Sequence, residues 1–252
     1  VILFYKKCKE VSNRDFKDFN FHLSQIWRSN TINLGCNRHF DVFNNFKIIP
    51  EYCFGCFKVQ VELNSVIDLM KLYFVFDGLN LSKNNSRKCM IELRNIAGGS
   101  YKGLIYCTGI DEANQIYKYL QNLLNKKIKN KVKVKIKRGC TEFGIEHPNY
   151  KIIDKESKDF MFYNKDWEEK EKIIDSNTHK YARENSVQRK PTIRGATLSD
   201  ILIIKNWIYY AKKIGDPDYK RLDEDILISN HIEAETSNQL DFRIKEYNDN
   251  LI

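Results

Sequence analysis

The feature that most constrains the fold of this chain is the pattern of hydrophobic residues in its central ninety residues. The pattern alternates between a strand-like spacing of two residues and longer helix-like segments. Four segments have the period-two pattern of half-buried β-strands, and two longer segments between them have helix signals. In chain order, the strands are expected at 57–63, 88–94, 101–107 and 132–137, with helices at 65–78 and 110–126. Strand, helix, strand, strand, helix, strand is the order of a ferredoxin-like βαββαβ sandwich.

Local signals agree with this assignment. Ser65 is a good N-cap for the first helix and Gly78 a suitable stop, while the Gly98-Gly99 pair favours a hairpin turn between the second and third strands. Right-handed crossovers then predict an antiparallel sheet with spatial order 4-1-3-2 and both helices on one face.

The pattern therefore predicts an α+β protein whose chain has three parts. Residues 53–153 form the core, and residues 1–52 form an N-terminal extension that packs on it, with a helix over 15–28. Residues 154–252 form a charged connector and a C-terminal helical segment. Within that segment, a helix is expected from about Thr197 to Lys213, with Gly215 as its stop.

Composition excludes several classes of protein. With 42% hydrophobic and 13% aromatic residues, the chain has the material for a packed core rather than for a disordered segment. The longest apolar stretch, 66–76, falls short of the roughly 20 residues of a membrane span. No basic-then-apolar leader opens the sequence. Seven cysteines, an odd number, favour thiols in a reducing compartment such as the cytoplasm over a disulfide scaffold.

The net charge of +9 leaves two interpretations open. Lysines 133, 135 and 137, with Arg94, are expected on the sheet face away from the helices, where they would suit phosphate contacts to a nucleic acid. Lysines on an edge strand also block unwanted strand pairing, and AT-rich coding enriches lysine without any function. Stacking of bases is not supported, because the first strand has Lys58, Gln60 and Glu62 on that face.

Two ligand pairs suggest a metal site. Cys36 and His39 are separated by two residues, as are Cys53 and Cys56. A tight turn lets such a pair reach one tetrahedral ion, so the sequence predicts a closed, structural Cys₃His zinc site. The alternative is that these cysteines are small buried hydrophobic residues.

A second group of thiols follows from the predicted topology. Cys56, Cys89, Cys107 and Cys140 lie near strand ends that would share one edge of the sheet. Neighbouring strands are about 4.8 Å apart, so these thiols could hold a metal, an iron–sulfur cluster or a redox group. Strand parity argues against full convergence, because it directs Cys89 and Cys140 toward the helices and Cys56 away from them. The alternative is that these cysteines only fill space at the edge of the hydrophobic core.

Cys140 is also a candidate nucleophile. Lys137 and Arg138 precede it, and nearby cations favour a thiolate. His147 would act as its base, and Glu142 would orient the histidine. Pro148 offers a plainer explanation, in which His147 simply precedes a turn.

Two functional hypotheses result. The first is a non-catalytic α+β binding or assembly module, with a structural zinc, that engages a protein or nucleic-acid partner. The second is a cysteine-dependent redox or metal enzyme that uses thiols clustered at one sheet edge. The first is favoured because the ligand set is closed and the sequence has no complete catalytic signature.

Overall fold

The computed structural model describes residues 1–4, 6, 10, 22–29, 35–128, 132–177, 194–222 and 230–250. These residues form an α+β fold with one five-stranded antiparallel sheet. The strands are β1 (Gln25–Arg28), β2 (Phe57–Leu63), β3 (Arg87–Ile91), β4 (Tyr101–Cys107) and β5 (Lys133–Arg138). The helices are α1 (Cys36–Phe46), α2 (Val66–Gly78), α3 (Ile110–Lys127), α4 (Thr141–Glu146), α5 (Glu168–Asn177), α6 (Leu198–Ile214), α7 (Asn230–Ser237) and α8 (Leu240–Asp249).

The sheet has one strand more than predicted. Its order is β1-β3-β4-β2-β5, so the sheet is not the four-stranded ferredoxin-like sheet predicted as a whole. The four predicted strands do neighbour one another in the predicted succession 4-1-3-2, here β5-β2-β4-β3, and β1 adds a fifth strand beside β3. The additional strand, β1, comes from the N-terminal extension and pairs with β3, with Ile26 opposite Cys89. The backbone groups along the edge of β3 need partners, and β1 provides them.

The helix predicted over 15–28 is wrong at its C-terminal end, because residues 25–28 form β1. Buried Ile26 and Arg28 alternate there with half-buried neighbours, which is the period of a strand. Residues 15–21 lie outside the described residues.

The three strongest helix predictions are confirmed to within two residues. The side chain of Ser65 accepts a hydrogen bond from the backbone N–H of Asp68 at the start of α2. At the start of α6, Thr197 and Asp200 form a capping box, and Gly215 ends that helix in the left-handed conformation, with φ of 88°. In the described part of the chain, no helix has both the length and the apolarity needed to span a membrane.

The main core lies on one face of the sheet. The inward residues of β2, including Val59 and Val61, are fully buried against α2, α3 and α6. The next side chains along β2, Lys58, Gln60 and Glu62, therefore lie on the opposite face, as predicted from their period.

Arg28 connects the N-terminal extension to two helices. Its guanidinium donates to Asp77 of α2 at 2.5 Å and to Asp200 of α6 at 2.8 Å. It also donates to the Tyr73 hydroxyl at 2.7 Å. Because the arginine is buried, these carboxylates satisfy a charge that would otherwise be costly to bury.

Gly103 in β4 sets how closely α2 approaches the sheet. A Cβ atom at this position would overlap the Leu72 side chain and lie 3.0 Å from the Phe76 ring.

We expect Gly103→Ala to lower the free energy of unfolding by about 1–3 kcal/mol, because the helix must shift to admit the methyl group. Urea denaturation measures this change. Gly78→Ala is the control, since its Cβ meets nothing within 4 Å; equal stability of the two variants would contradict the packing argument.

Candidate functional site

The Cys53–Cys56 pair lies on a tight turn that leads into β2. Residues Glu51–Gly55 form a short 3₁₀ helix, and the backbone N–H of Cys56 donates to the Cys53 carbonyl at 3.1 Å. Such a turn places two thiols near one point, as zinc-binding turns do. Cys53 is buried and Cys56 is half-buried.

Strand pairing brings Cys140 to the same place. Phe57 of β2 lies opposite Arg138 of β5, and the Gly139 N–H donates to the Cys56 carbonyl at 2.8 Å. Gly139 has φ of +51°, and a Cβ there would overlap the Tyr150 hydroxyl. Glycine is therefore needed to turn the chain so that Cys140 follows beside Cys56.

The other predicted ligand pair comes from α1. Cys36 is the first residue of that helix, after Gly35 in the left-handed conformation, and His39 lies one turn later. His39 is buried, with its ring 5.5 Å from the Tyr52 ring. Burial, together with the nearby Arg38, lowers the pKa of His39 to about 4, so its imidazole is neutral at neutral pH.

All four predicted zinc ligands and Cys140 line one small cavity. We call it the thiol cavity, and its volume is about 20 Å³, which is room for about one water molecule or one ion. The lining residues are Cys36, His39, Phe40, Tyr52, Cys53, Cys56, Lys58, Tyr106, Gly139, Cys140 and Phe143.

Two of the thiols in this cavity, those of Cys53 and Cys56, are hard to deprotonate. Burial raises the pKa of Cys53 well above its usual range, and the neighbouring thiols at Cys56, Cys140 and Cys36 raise it further. Burial likewise raises the pKa of Cys56 to about 11, although Lys58 opposes this shift. A buried thiol with a raised pKa is a poor nucleophile.

Lys58 places a buried positive charge against the cysteines. It is 8% exposed, and its ammonium lies 3.4 Å from the Cys140 sulfur and 5.2 Å from the centre of the Tyr106 ring. Burial alone would lower the pKa of Lys58, but Cys140, Tyr106 and Cys56 together raise it above its usual value. The groups around Lys58 therefore favour its ammonium form.

The predicted metal ligands line one cavity but are not arranged around a common point. Among the residues that the structure describes, no group of three or more His, Cys, Asp or Glu side chains is arranged to hold a metal ion.

A wider cavity adjoins the thiol cavity. Its volume is about 390 Å³, its lining is mostly apolar, and it shares Tyr52, Cys56 and Tyr106 with the thiol cavity. Solvent and ions can therefore reach Cys56 from this side.

The thiols predicted to share one sheet edge separate into two groups. Cys56 and Cys140 belong to the thiol cavity. Cys89 and Cys107 are part of the core that α2 and α3 cover, although Cys107 also lines the wider cavity together with Cys56. Cys89 is on the helix-facing side of β3, as strand parity indicated, and so lies apart from Cys140, which contacts Lys58 on the other face.

The predicted catalytic group is not brought together. The Nε2 atom of His147 lies 2.7 Å from the Lys47 carbonyl oxygen, and Glu142 forms an ion pair with Arg94. Cys140 has Lys58 as its polar neighbour instead.

A lysine-lined cleft lies on the sheet face opposite α2 and α3, next to Cys140. Its volume is about 450 Å³. The predicted nucleic-acid contacts Lys133, Lys135 and Lys137 line it together with Lys102 and Lys151. Arg94 does not line the cleft; it is engaged by Glu92 at 2.9 Å and by Glu142.

No family model matches the chain, and neither the curated proteins nor the solved structures compared with it give a significant match. The assignment of function therefore depends on the geometry of these sites.

Sequence reasoning missed Lys58 as a member of the thiol site. The available signal was its position two residues after Cys56, on the same strand face that leads toward Cys140. Its burial could not be inferred, because strand lysines are mostly exposed.

We expect Lys58→Met to slow alkylation of Cys140 by iodoacetamide in metal-free protein by about tenfold. The charge-assisted hydrogen bond that stabilises the thiolate, about 1.5–3 kcal/mol, is lost. Mass spectrometry of the Cys140 peptide at successive times measures the rate. Lys47→Met is the control, because Lys47 lies over the Phe43 ring and is exposed. Equal rates in the wild type and Lys58→Met would show that the ammonium does not support the thiolate.

Proposed function

We propose that the protein is a non-catalytic binding module whose fold is held by a structural zinc ion bound to Cys36, Cys53, Cys56 and Cys140. The observation that carries this proposal is a buried ammonium, Lys58, hydrogen-bonded to one of four thiols around a single ion-sized cavity. Thiolate sulfur is a preferred zinc ligand. Four protein ligands leave no open coordination position, which suits a structural role.

Charge balance supports this assignment. One Zn²⁺ ion with four thiolates has a net charge of −2, which is costly to bury without a nearby cation. Lys58 provides that cation, and its N–H donates to a ligand sulfur, as outer-shell groups of metal sites do. Without a negative centre, the buried ammonium would itself be poorly compensated.

Cys140 is a better fourth ligand than the predicted His39. The Cys140 sulfur accepts a hydrogen bond from the buried Lys58 ammonium, the cation that a centre of thiolates requires. The His39 ring lies beside Tyr52 instead. The Cys₃His set remains the alternative, and variants of His39 and Cys140 separate the two.

The proposed zinc would connect three parts of the chain. Cys36 begins α1, Cys53 and Cys56 lie on the turn before β2, and Cys140 precedes α4. These parts otherwise meet through a small core that includes Phe43, Phe143 and Tyr150. Small cores of this kind often need a metal for stability.

A cysteine-dependent enzyme is the second candidate, favoured by the contact between Lys58 and Cys140. Against it, His147 and Glu142 are engaged elsewhere. The enzyme hypothesis requires Cys140 to react rapidly in protein as purified, whereas a zinc-bound Cys140 is protected from alkylation until the metal is removed.

We expect protein purified under reducing conditions to contain one zinc ion per chain. Cys140→Ser and Cys56→Ser should lose that ion and lower the melting temperature by about 10 °C, because structural zinc contributes several kcal/mol to folding. Elemental analysis and thermal unfolding measure both effects. Cobalt substitution should give the visible absorption bands of a thiolate-ligated tetrahedral ion.

Two control variants make the test specific. Cys89→Ser removes a more deeply buried thiol from the main core and should retain the zinc even if stability falls. His39→Asn should retain the zinc if Cys140 is the fourth ligand and lose it if His39 is. Absence of zinc in wild-type protein, with none taken up after reduction, would rule out the proposal.

A further inference from the structure

We propose that the lysine-lined cleft beside Cys140 binds a small molecule that carries a phosphate group. This inference shares with the proposed function only the premise that the protein acts by binding. It depends on lysines rather than on the thiols, so the zinc and ligand experiments can fail independently.

The cleft has a surplus of positive charge. Five lysines line it, at positions 102, 133, 135, 137 and 151, against two carboxylates, Glu62 and Glu246. Arg138 also borders the cleft, but its guanidinium is used elsewhere: it lies 4.3 Å from the centre of the Phe160 ring and donates to the Met161 carbonyl at 3.0 Å.

The carboxylates do not neutralise these lysines. Lys133 and Lys135 share the single carboxylate of Glu62, and Glu246 is engaged by Arg243 at 2.5 Å. Among the described residues, no carboxylate lies within ion-pair distance of Lys137 or Lys151. Lys137 instead donates to the Thr141 hydroxyl. A dianionic phosphate would supply the missing charge, and lysine is a common phosphate ligand.

Two of these lysines are partly or fully buried, so keeping them positively charged costs free energy when no anion is bound. Burial lowers the pKa of Lys137 to about 8, and the nearby cations Lys58 and Lys102 lower it further. Lys102 is 4% exposed, and burial lowers its pKa as well, although Glu92 accepts from its ammonium at 2.9 Å. An anion between these lysines would relieve their repulsion, which is the electrostatic condition of a binding site.

The dimensions favour a small molecule over a nucleic-acid strand. A volume of about 450 Å³ is within the range of small-ligand pockets. The hairpin residues Gly98 and Gly99 and the α8 residue Glu246 border one side of the cleft.

On this face of the sheet, the aromatic rings of Trp27 and Tyr106 already pack against other side chains. Trp27 and Tyr106 stack on each other, with ring centres 5.5 Å apart, and both are only half-exposed. Lys88 lies 4.8 Å from the Trp27 ring centre and Lys58 lies 5.2 Å from that of Tyr106. Single-strand binding usually requires accessible aromatic faces on which bases can stack.

Isothermal titration of the full chain with pyrophosphate and with adenosine monophosphate tests the inference. We expect 1:1 binding that weakens as salt is added. Lys137→Met and Lys135→Gln should each raise the Kd about tenfold, because each removes a charged contact to the anion. Lys135 is 47% exposed, so its variant should fold even if that of the more buried Lys137 does not.

Lys172→Gln is the matched control. Lys172 is on α5, outside the cleft, and pairs with Glu168 and Glu169. Its variant should bind both probes as the wild type does. The inference is overturned if the wild type binds neither probe at millimolar concentration, or if Lys172→Gln weakens binding as much as Lys135→Gln.

Binding of a single-stranded oligonucleotide tests whether the ligand of the cleft is a nucleic acid rather than a small molecule. If it binds tightly, if the cleft variants weaken that binding, and if neither small anion competes with it, the small-molecule inference is replaced by a nucleic-acid one. Competition by pyrophosphate in the same assay would instead support the phosphate site.

Discussion

The ammonium of Lys58 is the group that the candidate site depends on. It is carried on β2 on the face opposite the main core, where the residues around the thiol cavity bury it and water cannot compensate its charge. The structure places it against the Cys140 sulfur and the Tyr106 ring. A buried cation needs a negative partner, and the zinc proposal is based on that requirement.

The two proposed sites are next to each other and have opposite charge. Cys140 lines both the thiol cavity and the lysine-lined cleft, because it ends the β2–β5 pairing and starts the segment that crosses the sheet face. A zinc–thiolate centre would be negative, and the adjacent cleft is positive. Each site would therefore partly offset the electrostatic cost of the other.

Particular residues show how far sequence reasoning reached. The spacing of Cys36, His39, Cys53 and Cys56 predicted that these four residues meet, and they do line one cavity. Strand parity directed both Cys89 and Cys140 toward the helices. Cys89 does lie in that core, but Cys140 follows the left-handed Gly139 beyond the end of β5 and contacts Lys58 on the other face. β1 was missed, since a four-residue strand has too little pattern to be recognised without its partner.

The sequence by itself determined the α+β class, the strands and helices of the central region, and the turn that pairs Cys53 with Cys56. These features depend on residue period and turn chemistry, which are local. Only the tertiary structure decided that Lys58 is buried, that Cys140 joins the thiol cavity and that the lysines surround a cleft. Those facts depend on which segments cover which face of the sheet, and contacts between residues far apart in the chain settle that.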